Sequence, residues 1–331
     1  KISRKAKILL DSKTSYFYFD FMTSLGLKPE IIEDPCKILK SQKNKIEIKN
    51  TRKAHIWDGV SLVKFYTWLD KQKFDSNLDE VNVASKLEKI RGENKNFFSN
   101  SFPTISAVGS NGSIIHYNPK QNNAKLKPGK LYLCDSGAQY FGATTDVTRT
   151  ILLGHEKPKK EFIINYTNVL IGNVNLGMCK FPFRTKGYQL DSIARYKLWQ
   201  NGLDYNHGTG HGVGSFLNVH EGPQSISKKF SNTELKEGMV LSNEPGYYKN
   251  NDYGIRIENL ILIIKSKFKN FLEFETLTLF PFEIELIDPT LLSFVQKKWI
   301  NDYHEKVFKK LKNFLNEEER NWLKNKTTTI L

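Results

Sequence analysis

Cysteine is scarce in this chain: Cys36, Cys134 and Cys179 are the only three in 331 residues, with no C-x-x-C spacing. So odd and scattered a set excludes a disulfide framework and suits a reducing, cytoplasmic setting. Long apolar runs are missing as well. No stretch reaches the roughly 18 residues of a membrane helix. The longest, around Ile257–Ile264 and Leu277–Phe282, are strand-sized, so no membrane partner is expected. No charged, apolar and small-residue leader is visible, and the chain opens Lys-Ile-Ser-Arg without a methionine. More of the protein is therefore expected upstream. Acidic residues are outnumbered, 35 against 50 basic, for a formal charge of +15. Such an excess can serve nucleic acid or an anionic surface. Here it is mostly lysine, spread among plentiful Asn and Ile, which reads as compositional bias, and no nucleic-acid partner is expected. A Walker loop, a GxSxG elbow, an HExxH helix and a Gly-rich dinucleotide fingerprint are all absent, which leaves those chemistries without a carrier.

What is present centres on Leu131 to Gly154, LYLCDSGAQYFGATTDVTRTILLG. β-branched and apolar residues run along both halves, and Gln139 to Gly142 offer a reversal, so the stretch reads as a β-hairpin. Folding it about Tyr140–Phe141 sets Asp135 directly opposite Asp146. Their Cβ atoms would lie roughly 4.5–5.5 Å apart, where like charges destabilise. The alternatives are two solvated carboxylates on an exposed hairpin or a cation between them. Cys134 points to the other face of its strand and reads as a core residue.

Before the hairpin, residues 1 to about 36 read as strand, helix and strand. Ala6–Asp11, Ser15–Leu25 and Ile31–Ile32 supply them, too little for a core of its own. Helices follow at Cys36–Ser41, Asn44–Gln72 and Asn77–Ile90, then strands at Thr104–Gly109 and Ile114–Tyr117. Beyond it, Pro158–Met178 and Thr185–Gln200 are helical. Gly238–Asn243, Gly254–Ile264 and Thr276–Leu279 are strands, and residues from Asp288 form a helical tail. Without a regular βαβ rhythm the class is α+β.

Three downstream segments could complete a metal site. His207-Gly-Thr-Gly-His211-Gly-Val-Gly is followed by His220-Glu-Gly-Pro; its glycines argue against a helix and let imidazoles project into a cleft. Glu244 ends an apolar strand before Pro245-Gly246. In Gly254-Ile-Arg256-Ile-Glu258, alternation sets Arg256 and Glu258 on one face, where the cation would orient the carboxylate. Four carboxylates with imidazole overcharge a single ion; two divalent ions about 3.5–4 Å apart would balance them and supply hydroxide for hydrolysis. Oxygen-rich ligation without thiolate favours Mn²⁺, with Co²⁺, Fe²⁺ or Zn²⁺ possible.

These residues resemble the metallopeptidases of the pita-bread fold, which include aminopeptidase P, prolidase and methionine aminopeptidase. The five ligands of that family match Asp135, Asp146, His211, Glu244 and Glu258 in order. The resemblance implies that Asp146 and Glu258 bridge two metals, with Asp135 on one ion and His211 and Glu244 on the other. Asp135-Ser-Gly-Ala-Gln-Tyr, Thr145-Asp146-Val-Thr-Arg-Thr, Asn218-Val-His-Glu-Gly-Pro and Asn243-Glu-Pro-Gly-Tyr-Tyr are similar to aminopeptidase P, of the long three-domain type. The match runs from roughly Pro35 to Leu331. It implies three parts. Residues 1–36 would end a truncated α/β domain, 37–282 form a pita-bread catalytic domain, and 283–331 a helical extension. It also implies an Xaa-Pro aminopeptidase, with prolidase or a non-catalytic binding module as alternatives, and a homodimer. Glu244 would accept a proton; His116 and His220 would hold the peptide carbonyl. His207 would be a further active-site histidine and Arg256 an arginine behind the ligands.

Overall fold

The computed structural model describes residues 3, 6–74 and 78–331. Its helices are α1 (Tyr16–Ser24), α2 (Pro35–Ser41), α3 (Lys45–Asp70), α4 (Glu80–Gly92), α5 (Lys160–Gly177), α6 (Tyr188–Trp199), α7 (Phe294–Leu311) and α8 (Glu317–Lys326). The strands before α5 are β1 (Ile8–Asp11), β2 (Pro29–Ile32), β3 (Phe97–Asn100), β4 (Ile105–Val108), β5 (Leu131–Ser136), β6 (Ala138–Tyr140), β7 (Ala143–Thr144) and β8 (Val147–Leu152). After it come β9 (Lys180–Pro182), β10 (Gly210–His211), β11 (Ser225–Ile226), β12 (Val240–Asn243), β13 (Gly246–Lys249), β14 (Tyr253–Arg256), β15 (Asn259–Lys265) and β16 (Phe271–Thr276).

Local chemistry sets the helix starts. Asn44 accepts from the Ile46 and Glu47 amides while Glu47 reaches back to its amide, a capping box that opens α3. The same device opens α7 at Ser293 and α8 at Asn316. Asp79 caps α4, so that helix begins after Asn77, a residue outside those described. One core gathers Leu62, Phe65 and Tyr66 of α3, Val83 and Leu87 of α4, Val169 of α5, and Ile300 and Val307 of α7. Tyr132, Cys134, Val147 and Ile151 press against the same core from the sheet β4-β5-β8. The wall built from β12, β15, β16 and β9 has its own packing, centred on Phe181, Leu241, Ile261 and Phe274. β1 and β2 pair in parallel around α1, which buries none of its residues.

The hairpin forms, with a different register from the one expected. Tyr140 pairs with Ala143 and Asp135 with Thr148, so the reversal is Phe141–Gly142 and Asp146 is not directly opposite Asp135. Gly142, at φ 89°, supplies the left-handed position that a two-residue turn needs. The offset is two residues, and because the side-chain period is also two, both aspartates stay on one face. Ile114–Tyr117 is not a strand: it follows a 3₁₀ turn, Gly109–Ser113, in the connection between β4 and β5. The expected strand Gly254–Ile264 is two, β14 and β15, interrupted at Ile257–Glu258. The last strand ends at Thr276 rather than beginning there. Beyond it the chain is tied by side chains: the Phe280 and Pro281 carbonyls accept from Arg149, and Thr278 accepts from Tyr303.

Candidate metal centre

Three strands bring carboxylates to one place. Asp135 is on β5, Asp146 immediately precedes β8, and Glu258 lies in the break between β14 and β15. Ligand oxygens of all three lie within 4.8 Å of one another. The break matters, because it lets the Glu258 amide bond the Thr148 carbonyl (3.1 Å) while the Thr148 hydroxyl donates to Glu258 Oε2 (2.7 Å). Arg149 donates to the Glu258 carbonyl at 2.6 Å. Glu258 thus leaves the ladder and is held by β8 instead.

Glycines bring the histidine segment alongside. A Cβ at Gly210 would run into the Ser242 carbonyl, so only glycine lets β10 lie this close to β12. The His211 amide donates to Ser242 Oγ (2.9 Å), and that hydroxyl donates to Glu244 Oε1 (2.9 Å), which locks ligand candidates of two segments together. Beneath, the buried Arg195 of α6 bonds Asp191 and the carbonyls of Tyr205 and His207, while Thr209 donates to Asp191. His211 Nδ1 sits 2.9 Å from the Gly212 carbonyl, which favours a proton there and makes Nε2 the nitrogen whose lone pair a metal would take. That nitrogen is 3.4 Å from Asp146 and 3.5 Å from Glu244.

The electrostatics ask for cations. Burial, first, raises Asp146 to about 6 and Glu244 to about 7, and it pushes Glu258 well above the carboxylate range with Asp146 and Glu244 adding repulsion. Burial opposes charge on His211 too, yet Asp146 and Glu244 draw it up to about 9. Packed carboxylates of this kind hold protons unless a positive charge joins them. Asp135 Oδ1 is buried with no hydrogen-bond partner, and three overlapping groups are each able to hold an ion. These are Asp135/Asp146/Glu258, His211/Glu244/Glu258 and Asp146/His211/His220. Oxygen donors with imidazole and no thiolate fit hard or borderline divalent ions.

The five ligand candidates from the sequence therefore converge. They line a cavity of about 430 Å³ that also receives His116, His207, His220 and Arg256. His116 and His220 are exposed at its mouth. His220 also comes close to the ligand candidates: its ring is 4.2 Å from that of His211, and the two share a donor group with Asp146. His207 has both nitrogens engaged, Nδ1 with the Gly208 carbonyl (2.7 Å) and Nε2 with the Tyr248 hydroxyl (2.8 Å). Arg256 corrects an expectation. Its guanidinium pairs with Asp135 (2.7 Å) rather than with Glu258, because the chain turns out of the strand between the two residues. Tyr248, Thr148, Ser242 and Arg195 were not singled out. Tyr248 accepts from Arg256 (2.7 Å) and so joins His207 to Asp135; in the sequence it closes the Asn243-Glu-Pro-Gly-Tyr-Tyr run, with nothing there to mark what its hydroxyl meets.

Fold and site together define a carboxylate–imidazole metal centre on a mixed α+β scaffold. Residues 49–265 match metallopeptidase family M24, and residues 270–330 match the C-terminal region of peptidase M24. The chain belongs to metallopeptidase family M24 and has its pita-bread fold. FRA1 of Saccharomyces cerevisiae, named provisionally as an Xaa-Pro aminopeptidase, is 48% identical over 91% of this chain and 41% of its own length. A probable Xaa-Pro aminopeptidase P of Coprinopsis cinerea is 45% identical over 98% of this chain and 54% of its own. Among solved structures, X-prolyl aminopeptidase from Caenorhabditis elegans, described as a cytosolic enzyme with a di-nuclear active site, superposes with TM-score 0.92 at 37% identity. That likeness covers 98% of this chain and 54% of the other. Prolidase from Pyrococcus furiosus gives TM-score 0.66 at 28% identity, over 82% of this chain and 76% of its own. The chain spans about half the length of the curated relatives it matches. Among the described residues, no helix is long and apolar enough to cross a membrane.

Proposed function

We propose that this chain carries the catalytic part of an Xaa-Pro aminopeptidase, releasing the first residue of peptides whose second residue is proline. The observation that carries the reading is the convergence of Asp135, Asp146, His211, Glu244 and Glu258 in one cavity with histidines at its mouth. Relatives of about 45% identity bearing that activity in their names support it. Those five residues would hold two divalent ions, Mn²⁺ by the oxygen-rich donor set. Bound there, the ions would supply Lewis acidity toward the peptide carbonyl and lower the pKa of a water.

The chain's own residues do the rest. Glu244, beside His211 in the cavity, would accept the proton of the attacking water and return it to the leaving amine. His116 and His220, at the mouth, hold the scissile carbonyl and stabilise the charge that develops on it. Arg256, paired with Asp135 and bonded to Tyr248, fixes the Asp135 carboxylate and, through Tyr248, the ring of His207. A division into residues 1–36, 37–282 and 283–331, a homodimer and a cytoplasmic setting belong to the same reading; three free cysteines and the cytosolic C. elegans neighbour support the last.

The test is hydrolysis of Arg-Pro-Pro beside Arg-Ala-Ala, after chelation and Mn²⁺ reloading, with Asp146→Asn as control. Proline-selective cleavage restored by Mn²⁺ and lost in the variant is expected. Cleavage confined to Xaa-Pro dipeptides would make the chain a prolidase, and failure to bind metal would leave a non-catalytic module.

A further inference from the structure

One of the buried carboxylates outside the metal centre stands apart. Glu80, the first residue of α4, is fully buried, and among the described residues no cation accompanies it within hydrogen-bonding distance. Its oxygens accept from the Val108 amide (2.7 Å), the Ala124 amide (2.9 Å) and the Tyr117 hydroxyl (2.6 Å), and Asn111 Nδ2 lies 3.1 Å from both. All four donors belong to one stretch of chain, Val108 to Ala124, which joins β4 to β5. Beyond Val108, the last residue of β4, that stretch contains a single 3₁₀ turn and no strand. Burying an anion is costly, and donors for it could have come from any neighbouring element. Here they come from the last residue of β4 and from the connection after it, which the Glu80 and Leu126 amides also tie to the start of α4 by bonding the Ala124 and Leu78 carbonyls. The remaining side is pinned as well. A Cβ at Gly254 would strike the Gly112 carbonyl, so the turn is seated directly on β14, two residues before Arg256.

The residue this connection delivers is His116, next to Tyr117 and at the mouth of the metal cavity. We propose that Glu80 is a positioning residue: acting through Tyr117, Asn111 and the loop amides, it holds His116 where a peptide carbonyl would lie. The inference rests on the reading of His116 as a substrate contact, and the test separates the two. Gln at position 80 keeps the shape but turns an N–H toward donors that need an acceptor, so the loop loosens. Tyr117→Phe removes one of the four bonds and spares the fold.

Kinetics with Arg-Pro-Pro on the Mn²⁺-loaded protein would compare Glu80→Gln, Tyr117→Phe, His116→Ala and the two doubles with His116→Ala. Misplacing a catalytic contact by about 1 Å costs up to about 100-fold, so Glu80→Gln is expected to lower kcat/KM by roughly 10- to 100-fold and Tyr117→Phe by less. Metal content should not change, and neither substitution should cost anything further once His116 is Ala. ¹³C-histidine spectra give a second readout that needs no turnover: the His116 ring signal should shift and narrow in Glu80→Gln while that of His207 stays. Additive losses in the doubles, loss of metal, or an unmoved His116 signal would each overturn the proposal. A harmless His116→Ala would overturn it together with the role given to His116, whereas proline-selective hydrolysis in the unsubstituted protein would still stand. Should Glu80→Gln fail to fold, Tyr117→Phe decides by the same criteria.

Discussion

The floor and the mouth of the cavity are built on opposite principles. On the floor, Asp135, Asp146 and Glu258 are buried on or beside strands, and backbone ladders and Thr148 fix their positions. At the mouth, His116 and His220 are exposed on connections between elements. The floor concentrates charge where water cannot screen it, so its geometry is rigid and its stability depends on a cation. The mouth stays solvated, its groups cost little to keep, and their placement depends on buttresses such as Glu80. One region is suited to holding ions and the other to admitting a peptide.

The largest test of that contrast is Asp146→Asn. Metal binding should fail and activity fall by about 1,000-fold, the several kcal/mol that metal ions contribute to such a transition state. The metal-free variant should nevertheless melt higher than the metal-free parent, because a crowded buried carboxylate has gone. A lower melting temperature would break the comparison. Smaller effects are expected at the mouth. His116→Ala should keep full metal content and lose about 100-fold in kcat, the usual cost of removing one oxyanion donor. Lost metal there would mean that floor and mouth are a single unit. His220→Ala sharpens the boundary, since its ring shares a donor group with Asp146 and His211. Equilibrium metal titration of that variant would show to which region it belongs.

Arg256→Lys should come next, at about 10-fold in metal affinity or activity, as for partners that orient a ligand. Lysine retains the charge near Asp135 but cannot also reach Tyr248 with a second N–H in the same plane. An unchanged enzyme would show that the guanidinium fork does not orient Asp135. The smallest effect lies outside both regions. His304 is buried, accepts from the Phe282 amide (3.1 Å), and burial with Arg149 nearby lowers its pKa to about 3. The unfolded chain binds this proton below about 6.5 and the native state does not. Stability contributed here is therefore full above that pH and is lost as pH falls toward 3, by up to about 1.4 kcal/mol per pH unit. Denaturant titrations between pH 7 and 4 should show a shallower acid loss in His304→Gln, while the metal-site variants retain the parent slope from this histidine.

Much of this was legible in residue order. Period-two alternation and the Phe141–Gly142 region gave away the hairpin, and even a register displaced by two left both aspartates on one face. Glycine spacing around His207 and His211 signalled a segment pressed against another strand. The break at Ile257–Glu258 was not legible, because Ile255, Ile257 and both flanking strands are uniformly apolar or buried and alternation there carries no sign of a turn. Ile114–Tyr117 misled for a related reason: the stretch ends at Tyr117, whose hydroxyl is taken by Glu80, a carboxylate far away in the chain. Tyr248 sits in a recognisable run and Ser242 just before it, yet neither these nor Arg195 gave any sign of their bonds, since a hydroxyl or guanidinium gains its meaning only from what stands opposite it.

By itself the sequence determined which donor atoms are available, their order, and the faces from which most of them project, because those follow from side-chain chemistry and local periodicity. Tertiary structure alone decided that Arg256 serves Asp135 and not Glu258, that His220 comes close to His211, and that a carboxylate on α4 supports a histidine loop. The first and last join segments distant in sequence, and the second depends on how the glycine-rich loop between the two histidines folds. Long-range contacts depend on how sheets and helices stack, and no short-range pattern encodes that.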